Sequence, residues 1–171
     1  MHGDANPAAP KPRKRTLVLD TSAILSGKPP APDGILYAPP GVVGEFQEGG
    51  KSRRQLDYML EAGLRVIPPS TESIAAADEA ASRTGDLAKL SEADLEVLAL
   101  ARDVHGTVVT DDYAIQNVAA TLKIPFQAVN QDGITQVIHW AYKCRGCGKQ
   151  YQDLVKECTV CGSEVRAVKG K

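Results

Sequence analysis

Five acidic residues stand where an α/β protein would gather ligands for a divalent cation. Asp20 follows the apolar run 16–19, and the adjacent pair Asp111 and Asp112 follows the run 107–110. Because a parallel sheet opens its ligand crevice beyond the carboxyl ends of its strands, we expect these side chains at one edge. Two adjacent carboxylates raise each other's pKa there unless a cation offsets their charge.

Glu45 and Asp94 are two further acidic candidates, each expected at the start of a helix. The helix that follows Asp94 is apolar on more than one side. Such a helix is well buried, and a carboxylate at its start needs a partner. Hard oxygen ligands select Mg²⁺ or Mn²⁺, and the resulting site can activate a water for attack on a phosphodiester.

Each of these positions also has an ordinary structural explanation. Asp20 would cap the short helix that follows it. Glu45 would complement the dipole of its helix, and Asp94 would form a capping box with Ser91. The metal-site hypothesis therefore depends on the acidic positions taken together and on no single one of them.

All four cysteines occur in two pairs, Cys144 with Cys147 and Cys158 with Cys161, and each second cysteine precedes a glycine that relieves a tight turn. This spacing lets both thiolates of a pair reach one tetrahedral Zn²⁺, and two such pairs joined by a hairpin form a zinc ribbon. Disulfides and a redox pair are the alternatives. Neither fits a doubled motif in a chain without an export signal. Four thiolates leave no open position, so this zinc is expected to be structural.

Short apolar runs alternate with helical patterns over the first 130 residues. The runs predicted as strands, apolar on both sides as in strands buried on both faces, are 16–19, 34–38, 64–67, 107–110 and 126–129. The predicted helices are 42–48, 52–62, 71–83, 91–105 and 112–122, with a break around 49–50. This alternation predicts a parallel sheet with helices on its faces, which is an α/β fold.

Composition divides the chain into five segments. We predict a disordered basic tail over 1–15, the α/β domain over 16–130, a connector over 131–142, the zinc ribbon over 143–166 and a second basic tail over 167–171. Apolar side chains in the connector, Trp140 among them, are available to dock on one domain or the other.

The net charge of −1 conceals an uneven distribution. Residues 57–142 carry five basic and thirteen acidic side chains, whereas residues 143–171 carry seven basic and three acidic ones. Residues 1–15 carry four basic residues and one acidic residue. An acidic middle with basic ends fits a metal site flanked by surfaces for a polyanion, and solvated surface charge is the alternative explanation.

Several classes of function find no support in the sequence. No apolar run approaches the roughly 18 residues that span a bilayer, and the first residues have no apolar stretch typical of a secretory signal. We therefore expect a cytoplasmic protein with no membrane partner. Because no glycine-rich phosphate loop and no serine in a nucleophile elbow occur, nucleotide binding of that kind and serine hydrolysis are disfavoured.

The acidic motifs, in their order along the chain, resemble those of the PIN-domain nucleases. The residues that carry the resemblance are Leu-Asp-Thr-Ser-Ala at 19–23, Val-Gly-Glu at 43–45, Asp94, and Val-Thr-Asp-Asp at 109–112. This resemblance implies a five-stranded sheet in the order 3-2-1-4-5 and cleavage of single-stranded RNA that depends on Mn²⁺ or Mg²⁺.

Further motifs resemble one branch of that family. These are Thr-Gly-Asp-Leu at 84–87 followed by the helix with Asp94, the run 110–118, and a four-cysteine ribbon directly behind the domain. The chain is similar over about 16–165 to the Nob-type endonucleases, which mature the 3′ end of small-subunit ribosomal RNA. The partners implied are a small-subunit rRNA precursor within a pre-ribosomal particle and other assembly factors.

The resemblance assigns catalytic roles to Asp20, Glu45, Asp94 and the Asp111–Asp112 pair. The usual family spacing favours Asp112 as the direct ligand, although the sequence leaves this pair unresolved. We assign supporting roles beside the carboxylates to three hydroxyl side chains, those of Thr21, Ser22 and Thr110. The candidate RNA contacts are basic residues beside Glu45 and in the ribbon: Lys51, Arg53, Arg54, Lys143, Arg145, Lys149 and Lys156.

Three alternative functions remain open at this point. A toxin-type PIN ribonuclease would cut transfer or messenger RNA, but its usual form lacks a ribbon. A non-catalytic RNA-binding factor in ribosome assembly would be favoured by a missing carboxylate, and none is missing. A flap-type DNA nuclease would require a larger acidic cluster and a helical arch, which the sequence does not contain.

Overall fold

The computed structural model describes residues 14–28, 34–46, 49–130 and 132–170. The basic tail expected over 1–15 lies outside these ranges except for its last two residues. In the described part of the chain, no helix has the length and apolar character needed to cross a membrane.

Strands and helices alternate through the first domain, as predicted. The strands are β1 (Thr16–Leu19), β2 (Ile35–Ala38), β3 (Arg65–Val66), β4 (Thr107–Val109) and β5 (Phe126–Gln127). The helices are α1 (Thr21–Leu25), α2 (Pro40–Gly44), α3 (Lys51–Glu61), α4 (Thr71–Thr84), α5 (Glu92–Asp103) and α6 (Tyr113–Thr121), with a 3₁₀ turn at Leu87–Lys89. All neighbouring strands run parallel in the order β3-β2-β1-β4-β5, which confirms the predicted topology.

The core forms where the central strand β1 meets the helices on both faces of the sheet. Leu17, Val18 and Leu19 are all buried, because parallel strands at the centre of such a sheet are covered on both sides. Helix α5 is buried along 97–101, as its apolar pattern predicted. Alanines on α4 and α5 let these two helices pack closely, and this contact fixes the position of the helix that carries Asp94.

Three local predictions differ from the structure. The run 64–67 was expected to be buried on both faces, but Arg65 and Val66 are exposed because β3 lies at the edge of the sheet. The strand expected over 126–129 has only two paired residues, since β5 is the opposite edge. Helix α2 ends at Gly44, so Glu45 lies at the end of a helix and not at its start.

A second, antiparallel sheet builds the cysteine unit. Its strands are β6 (Trp140–Cys144), β7 (Gln150–Tyr151) and β8 (Val165–Lys169), in the order β7-β6-β8. The sheet begins inside the segment expected to be a connector and continues to Lys169, past the expected boundary at residue 166. Its small core contains Tyr142, Val165 and two of the cysteines, so the unit has little apolar surface to bury.

Buried polar contacts join the ribbon and its connector to the α/β domain. The side-chain amide of Asn117 donates to the Ile138 carbonyl and accepts from the Ile138 N–H, each at 2.6 Å. The Tyr142 hydroxyl donates to the Gly85 carbonyl at 2.6 Å. Gly85 has a φ of +77°, and a Cβ there would lie 2.6 Å from the Trp140 carbonyl oxygen. The contact therefore requires glycine at this position.

We predict that Asn117→Ala lowers the free energy of unfolding by about 2 kcal/mol. The substitution removes the partner of a buried Asp86 oxygen and of the half-buried backbone groups of Ile138. One unsatisfied buried group costs about 1–3 kcal/mol, and a half-buried group costs less because water can reach it. Urea denaturation monitored by circular dichroism would measure the change. Gln150→Ala, which removes an exposed amide, is the control. An effect of Asn117→Ala no larger than that of the control would contradict the prediction.

Candidate active site and zinc centre

Asp20 lies at the end of β1 with only 5% of its surface exposed. Its carboxylate accepts hydrogen bonds from the Thr110 hydroxyl at 2.8 Å, the Ser22 hydroxyl at 3.0 Å and the Thr21 backbone N–H at 2.6 Å. Burial raises the pKa of Asp20 above its ordinary value, and these hydrogen bonds only partly offset the rise. A cation beside Asp20 would favour the charged form that burial disfavours.

Two hydroxyl groups connect Asp20 to the acidic pair at the end of β4. The Thr110 hydroxyl donates to Asp20 and accepts from the Asp112 N–H at 3.0 Å. The Ser22 hydroxyl donates to Asp20 and accepts from the Asp111 N–H at 3.1 Å. Because β1 and β4 are parallel neighbours, their carboxyl ends meet at this point, and the two hydroxyls hold the ends together.

Glu45 reaches the same edge from the end of α2. The Thr21 hydroxyl donates a hydrogen bond to its carboxylate, and Thr21 follows Asp20 directly. Buried Phe46 anchors the next position in the chain. Because Glu45 is at the carboxyl end of the helix, the prediction that it complements a helix dipole is wrong.

Asp94 forms the capping box that the sequence offered as the structural alternative. Its Oδ2 accepts from the Ser91 N–H at 2.7 Å and from the Ser91 hydroxyl at 2.8 Å, and that hydroxyl accepts from the Asp94 N–H. Burial is the main cause of the raised pKa of Asp20, and the negative charge of Asp94 makes a smaller contribution in the same direction. Helix α5, which carries Asp94, packs against β1, the strand that Asp20 directly follows. The capping role of Asp94 is therefore compatible with a place at the same edge of the sheet as Asp20.

The two members of the acidic pair have different surroundings. Asp112 is the N-cap of α6, and its Oδ1 accepts from the N–H of Ala114 at 2.6 Å. The carboxylate of Asp111 accepts from the Val129 N–H at 2.8 Å and from the backbone and side-chain amides of Asn130. Asp111 thus fixes the chain that follows β5, whereas Asp112 fixes the start of a helix.

The five acidic residues lie at one edge of the sheet, which we call the acidic edge, but their carboxylate oxygens do not converge on one point. Among residues in the described ranges, no three carboxylates place oxygen atoms within 4.8 Å of one another. Mutual repulsion favours this separation, and hydrogen bonds within the protein satisfy the side chains instead. An all-oxygen donor set around a buried carboxylate with a raised pKa fits Mg²⁺ or Mn²⁺.

The four cysteine sulfurs converge within 4.8 Å of one another, as the spacing predicted. Cys144 and Cys161 are 3.4 Å apart at sulfur, and Cys147 and Cys158 are 3.5 Å apart. Tetrahedral Zn–S bonds of about 2.3 Å place sulfurs roughly 3.8 Å apart, so the geometry fits zinc. All four thiols are free, and the disulfide alternative is wrong.

The protein environment favours the thiolate form at Cys158 and Cys161. The pKa of Cys147 is instead raised to about 11, because its cysteine neighbours and burial outweigh the backbone hydrogen bond at Lys149 that lowers it. The Tyr151 hydroxyl donates to the Cys158 sulfur at 3.1 Å and lowers the pKa of this thiol to about 5. The glycines that follow each pair, Gly148 and Gly162, have φ values of +77° and +72°. These turns bring the two thiolates of each pair to the same side, which confirms the reason given for the glycines.

The basic candidates occupy two separate surfaces. Lys51 and Arg54 are exposed in the first turn of α3, whereas Arg53 pairs with Asp57 at 2.9 Å. The remaining four candidates are exposed on the ribbon: Lys143, Arg145, Lys149 and Lys156. Of these, Arg145 is paired with Glu164 at 3.2 Å, which reduces the charge it offers to RNA.

Two basic residues near these surfaces were missed in the sequence. Arg166 lies directly opposite Lys143 in the β6–β8 ladder and is exposed. Its basic character and its place inside the ribbon expected over 143–166 were the available signal, but its position opposite Lys143 depends on the pairing of the strands. Lys28 donates to the Asn130 side chain at 2.8 Å, beside Asp111. No sequence pattern could reveal that contact, because it joins residues more than a hundred positions apart.

Comparison with known proteins now identifies the fold and the class of enzyme. A family model for the PIN domain of ribonuclease matches residues 17–104, from β1 through the end of α5. The chain belongs to the PIN-domain ribonucleases. This membership confirms the predicted fold and shows that the protein is a ribonuclease.

Relatives matched over most of this chain extend the similarity beyond the residues that the family model covers. Endoribonuclease Nob1 of Pyrococcus abyssi is 40% identical over 158 residues, covering 91% of this chain and 94% of the relative. Endoribonuclease Nob1 of Archaeoglobus fulgidus is 39% identical over 159 residues, covering 89% of this chain and 91% of the relative. Ribonuclease VapC1 of Thermoplasma acidophilum is 44% identical over 149 residues, covering 87% of this chain and 76% of the relative. The resemblance to Nob-type enzymes is confirmed.

We predict that Cys144→Ser loses most of its zinc and unfolds the ribbon, while the α/β domain stays folded. Three thiolates hold zinc less tightly, and a unit with so small a core depends on the metal to fold. Elemental analysis and limited proteolysis would measure both effects. Val160→Ser, at an exposed position between Cys158 and Cys161, is the control and should keep its zinc. Undiminished zinc in Cys144→Ser would show that the four-cysteine assignment is wrong.

We predict that Mn²⁺ stabilises the wild-type protein against unfolding and has much less effect on Asp20→Asn. The folded-state pKa of Asp20 is raised, so without metal the wild type loses stability relative to the variant as pH rises above 3.8. A bound cation reverses that penalty only where the carboxylate is present. Urea denaturation near neutral pH, with and without Mn²⁺, would measure the difference. Equal stabilisation of both proteins would exclude Asp20 as a ligand.

Proposed function

We propose that this ribonuclease is an endoribonuclease that cleaves precursor small-subunit rRNA at or near its mature 3′ end. The Nob-type resemblance implies this substrate. The observation that carries it is the similarity to Nob1 endoribonucleases, which spans both the nuclease domain and the ribbon, with up to 94% of a relative's length covered. A ribbon joined to the nuclease domain by buried contacts suits a substrate that is held at two places.

Asp20 is the central catalytic residue in this proposal, and Glu45, Asp94 and Asp112 surround it. Together they would hold Mg²⁺ or Mn²⁺, which when bound supplies an activated water and offsets charge on the scissile phosphate. The hydroxyls of Thr110 and Ser22 fix the orientation of the Asp20 carboxylate before any ligand arrives. Such preorganisation avoids the cost of ordering the side chain during the reaction.

Asp94 and Asp112 cap helices, but each could still bind the catalytic cation. Each cap uses a single oxygen, Oδ2 of Asp94 and Oδ1 of Asp112. A cation would be held through the second oxygen of each carboxylate. Asp111, whose carboxylate binds the chain at 129–130, acts as a positioning residue in this proposal.

Basic surfaces outside the acidic edge would hold the RNA. The nuclease region 57–142 has an excess of acidic residues, so phosphate binding directly at the carboxylates depends on the metal. On the ribbon, Lys143 and Arg166 are cross-strand neighbours and form a pair of exposed cations. Lys51 and Arg54 offer a second contact beside Glu45. Binding through such residues weakens as salt rises, because each neutralised phosphate releases counterions.

A second candidate is a toxin-type ribonuclease that acts on transfer or messenger RNA. The 44% identity to ribonuclease VapC1 favours it. The two candidates share the acidic edge and differ in substrate. A direct comparison of substrates by the same enzyme therefore separates them.

We expect the full chain to produce a new end at or near the mature 3′ end of a small-subunit rRNA precursor fragment, only when Mn²⁺ or Mg²⁺ is added. Asp20→Asn should abolish cleavage and leave RNA affinity within a few-fold, since it removes a metal ligand and no RNA contact. Asp112→Asn should lose more activity than Asp111→Asn. Primer extension would map the ends, and gel shift would measure affinity.

Transfer and messenger RNA fragments of equal length serve as competing substrates in the same assay. Preferred cleavage of either would favour the toxin-type alternative. Cleavage by folded Asp20→Asn at the wild-type rate would remove this residue from the mechanism. A loss of RNA affinity as large as the loss of cleavage would show that Asp20 acts in binding instead.

A further inference from the structure

A groove of about 500 Å³ lies beside the acidic edge, between the start of α6 and the chain that leads into the ribbon. Its lining includes Asp111 and Asp112 of the acidic pair and Trp140 of the first ribbon strand. Its volume is within the range of pockets that bind small organic groups. Because the acidic pair forms part of its wall, an occupant would continue directly from the proposed cleavage site. We call it the Tyr113 groove after the aromatic residue on its wall.

Tyr113 is the first residue of α6 and follows Asp112 directly. Half of its side chain, 50%, is exposed, although aromatic side chains of this size gain from burial. The ring is held next to the acidic edge, because the Asp112 cap fixes the start of the helix. An exposed ring at a fixed place beside a nuclease site is suited to stack on an RNA base.

Lys89 supplies a cation within the same groove. Its ammonium lies 3.6 Å from the centre of the Trp140 ring and 3.3 Å from a carboxylate oxygen of Asp86. The Lys89 side chain is 37% exposed, so it remains accessible from the groove. Two contacts hold the ammonium in place, and the third hydrogen of this group is available for a phosphate oxygen.

Asp86, the third acidic residue that lines the groove, neutralises the positive charge of Lys89 only in part. Asp86 is almost fully buried, and its second oxygen accepts from the Asn117 side chain at 2.6 Å. Asp86 therefore holds the Lys89 ammonium in place, while its own carboxylate is buried away from solvent. The exposed surface of the groove is an aromatic ring and an ammonium group beside the acidic edge.

We propose that the Tyr113 groove binds one nucleotide of single-stranded RNA next to the scissile phosphate. In this arrangement the base stacks on Tyr113, and Lys89 contacts the phosphate. The inference rests on the proposed function for its substrate class, RNA. It adds a binding site for the unpaired nucleotide to the metal-binding edge. A duplex would not fit this role, because its paired bases are stacked on each other and cannot leave the helix without cost.

The floor of the groove offers little for reading base identity. The Asn117 side chain uses its amide nitrogen for Asp86 and the Ile138 carbonyl, and its oxygen for the Ile138 N–H. Recognition would therefore depend on stacking, which tolerates any base because every base has a π face. The Tyr113 groove would select for unpaired RNA and not for a particular sequence.

The test uses Trp140, which is the only tryptophan in the chain and lines the groove. The zinc-loaded full chain carrying Asp20→Asn, which is expected to prevent cleavage, is titrated with a short single-stranded oligoribonucleotide in the presence of Mg²⁺. We expect the fluorescence of Trp140 to change saturably. Tyr113→Ala in the same background should weaken the apparent affinity by about five-fold to about a hundred-fold, as loss of one base–aromatic stack predicts.

Two matched variants make the result specific to stacking. Tyr113→Phe keeps the ring and should bind within about two-fold of the parent. Tyr58→Ala removes another exposed aromatic ring, 55% exposed on α3 and outside the groove, and should also leave the titration unchanged. Tyr113 is exposed, so none of these substitutions disturbs the core. Circular dichroism would verify that the helices are intact.

Several results would overturn the inference. They are an affinity of Tyr113→Ala within two-fold of the parent, an equal loss in Tyr58→Ala, and an equal fluorescence change with duplex RNA of the same length. Because the titration measures binding alone, its outcome is independent of the cleavage assay. Cleavage of the rRNA fragment without an effect of Tyr113→Ala would leave the proposed function intact. An effect of Tyr113→Ala on binding without any cleavage of the rRNA fragment would support the stacking site and contradict the proposed function.

Discussion

The structure of the acidic edge depends on a carboxylate that is buried at the end of the central strand. Asp20 follows three fully covered residues of β1, so its position is dictated by the core and not by solvent. A charge in that place is costly, and the protein offsets the cost with three hydrogen bonds from Thr21, Ser22 and Thr110. Two of these partners also bind the backbone at Asp111 and Asp112, so satisfying one carboxylate organises the whole edge.

The same principle of satisfied buried polar groups joins the nuclease domain to the ribbon. Asn117 bonds to Asp86 on one side and to the backbone of Ile138 on the other. Asp86 in turn holds Lys89 against Trp140 at the first strand of the ribbon. This chain of contacts places the ribbon beside the acidic edge.

The two candidate metal sites of this protein contrast in how completely the fold prepares them. The four thiols already converge, because two-residue spacing and glycine turns fix each pair locally. The carboxylates come from four different segments and remain more widely separated among the described residues. The cysteine cluster fits zinc, and four thiolates would leave no open position on a zinc ion held there, so its role would be structural. Carboxylates that retain some separation leave room for water and a phosphate.

The sequence by itself determined the parallel α/β class from its periodicity and the zinc ligands and the family from short motifs, and the strand order followed from the family resemblance. It also supplied the helix caps at Asp20 and at Asp94 with Ser91. Only the tertiary structure decided what depends on contacts between distant segments. Strand β3 is exposed because it lies at the edge of the sheet. Helix α2 ends at Gly44, so Glu45 lies at the carboxyl end of its helix and not at the expected start. The different partners of Asp111 and Asp112, and the groove that brings Tyr113 near Trp140, likewise arise from chain segments that only folding brings together.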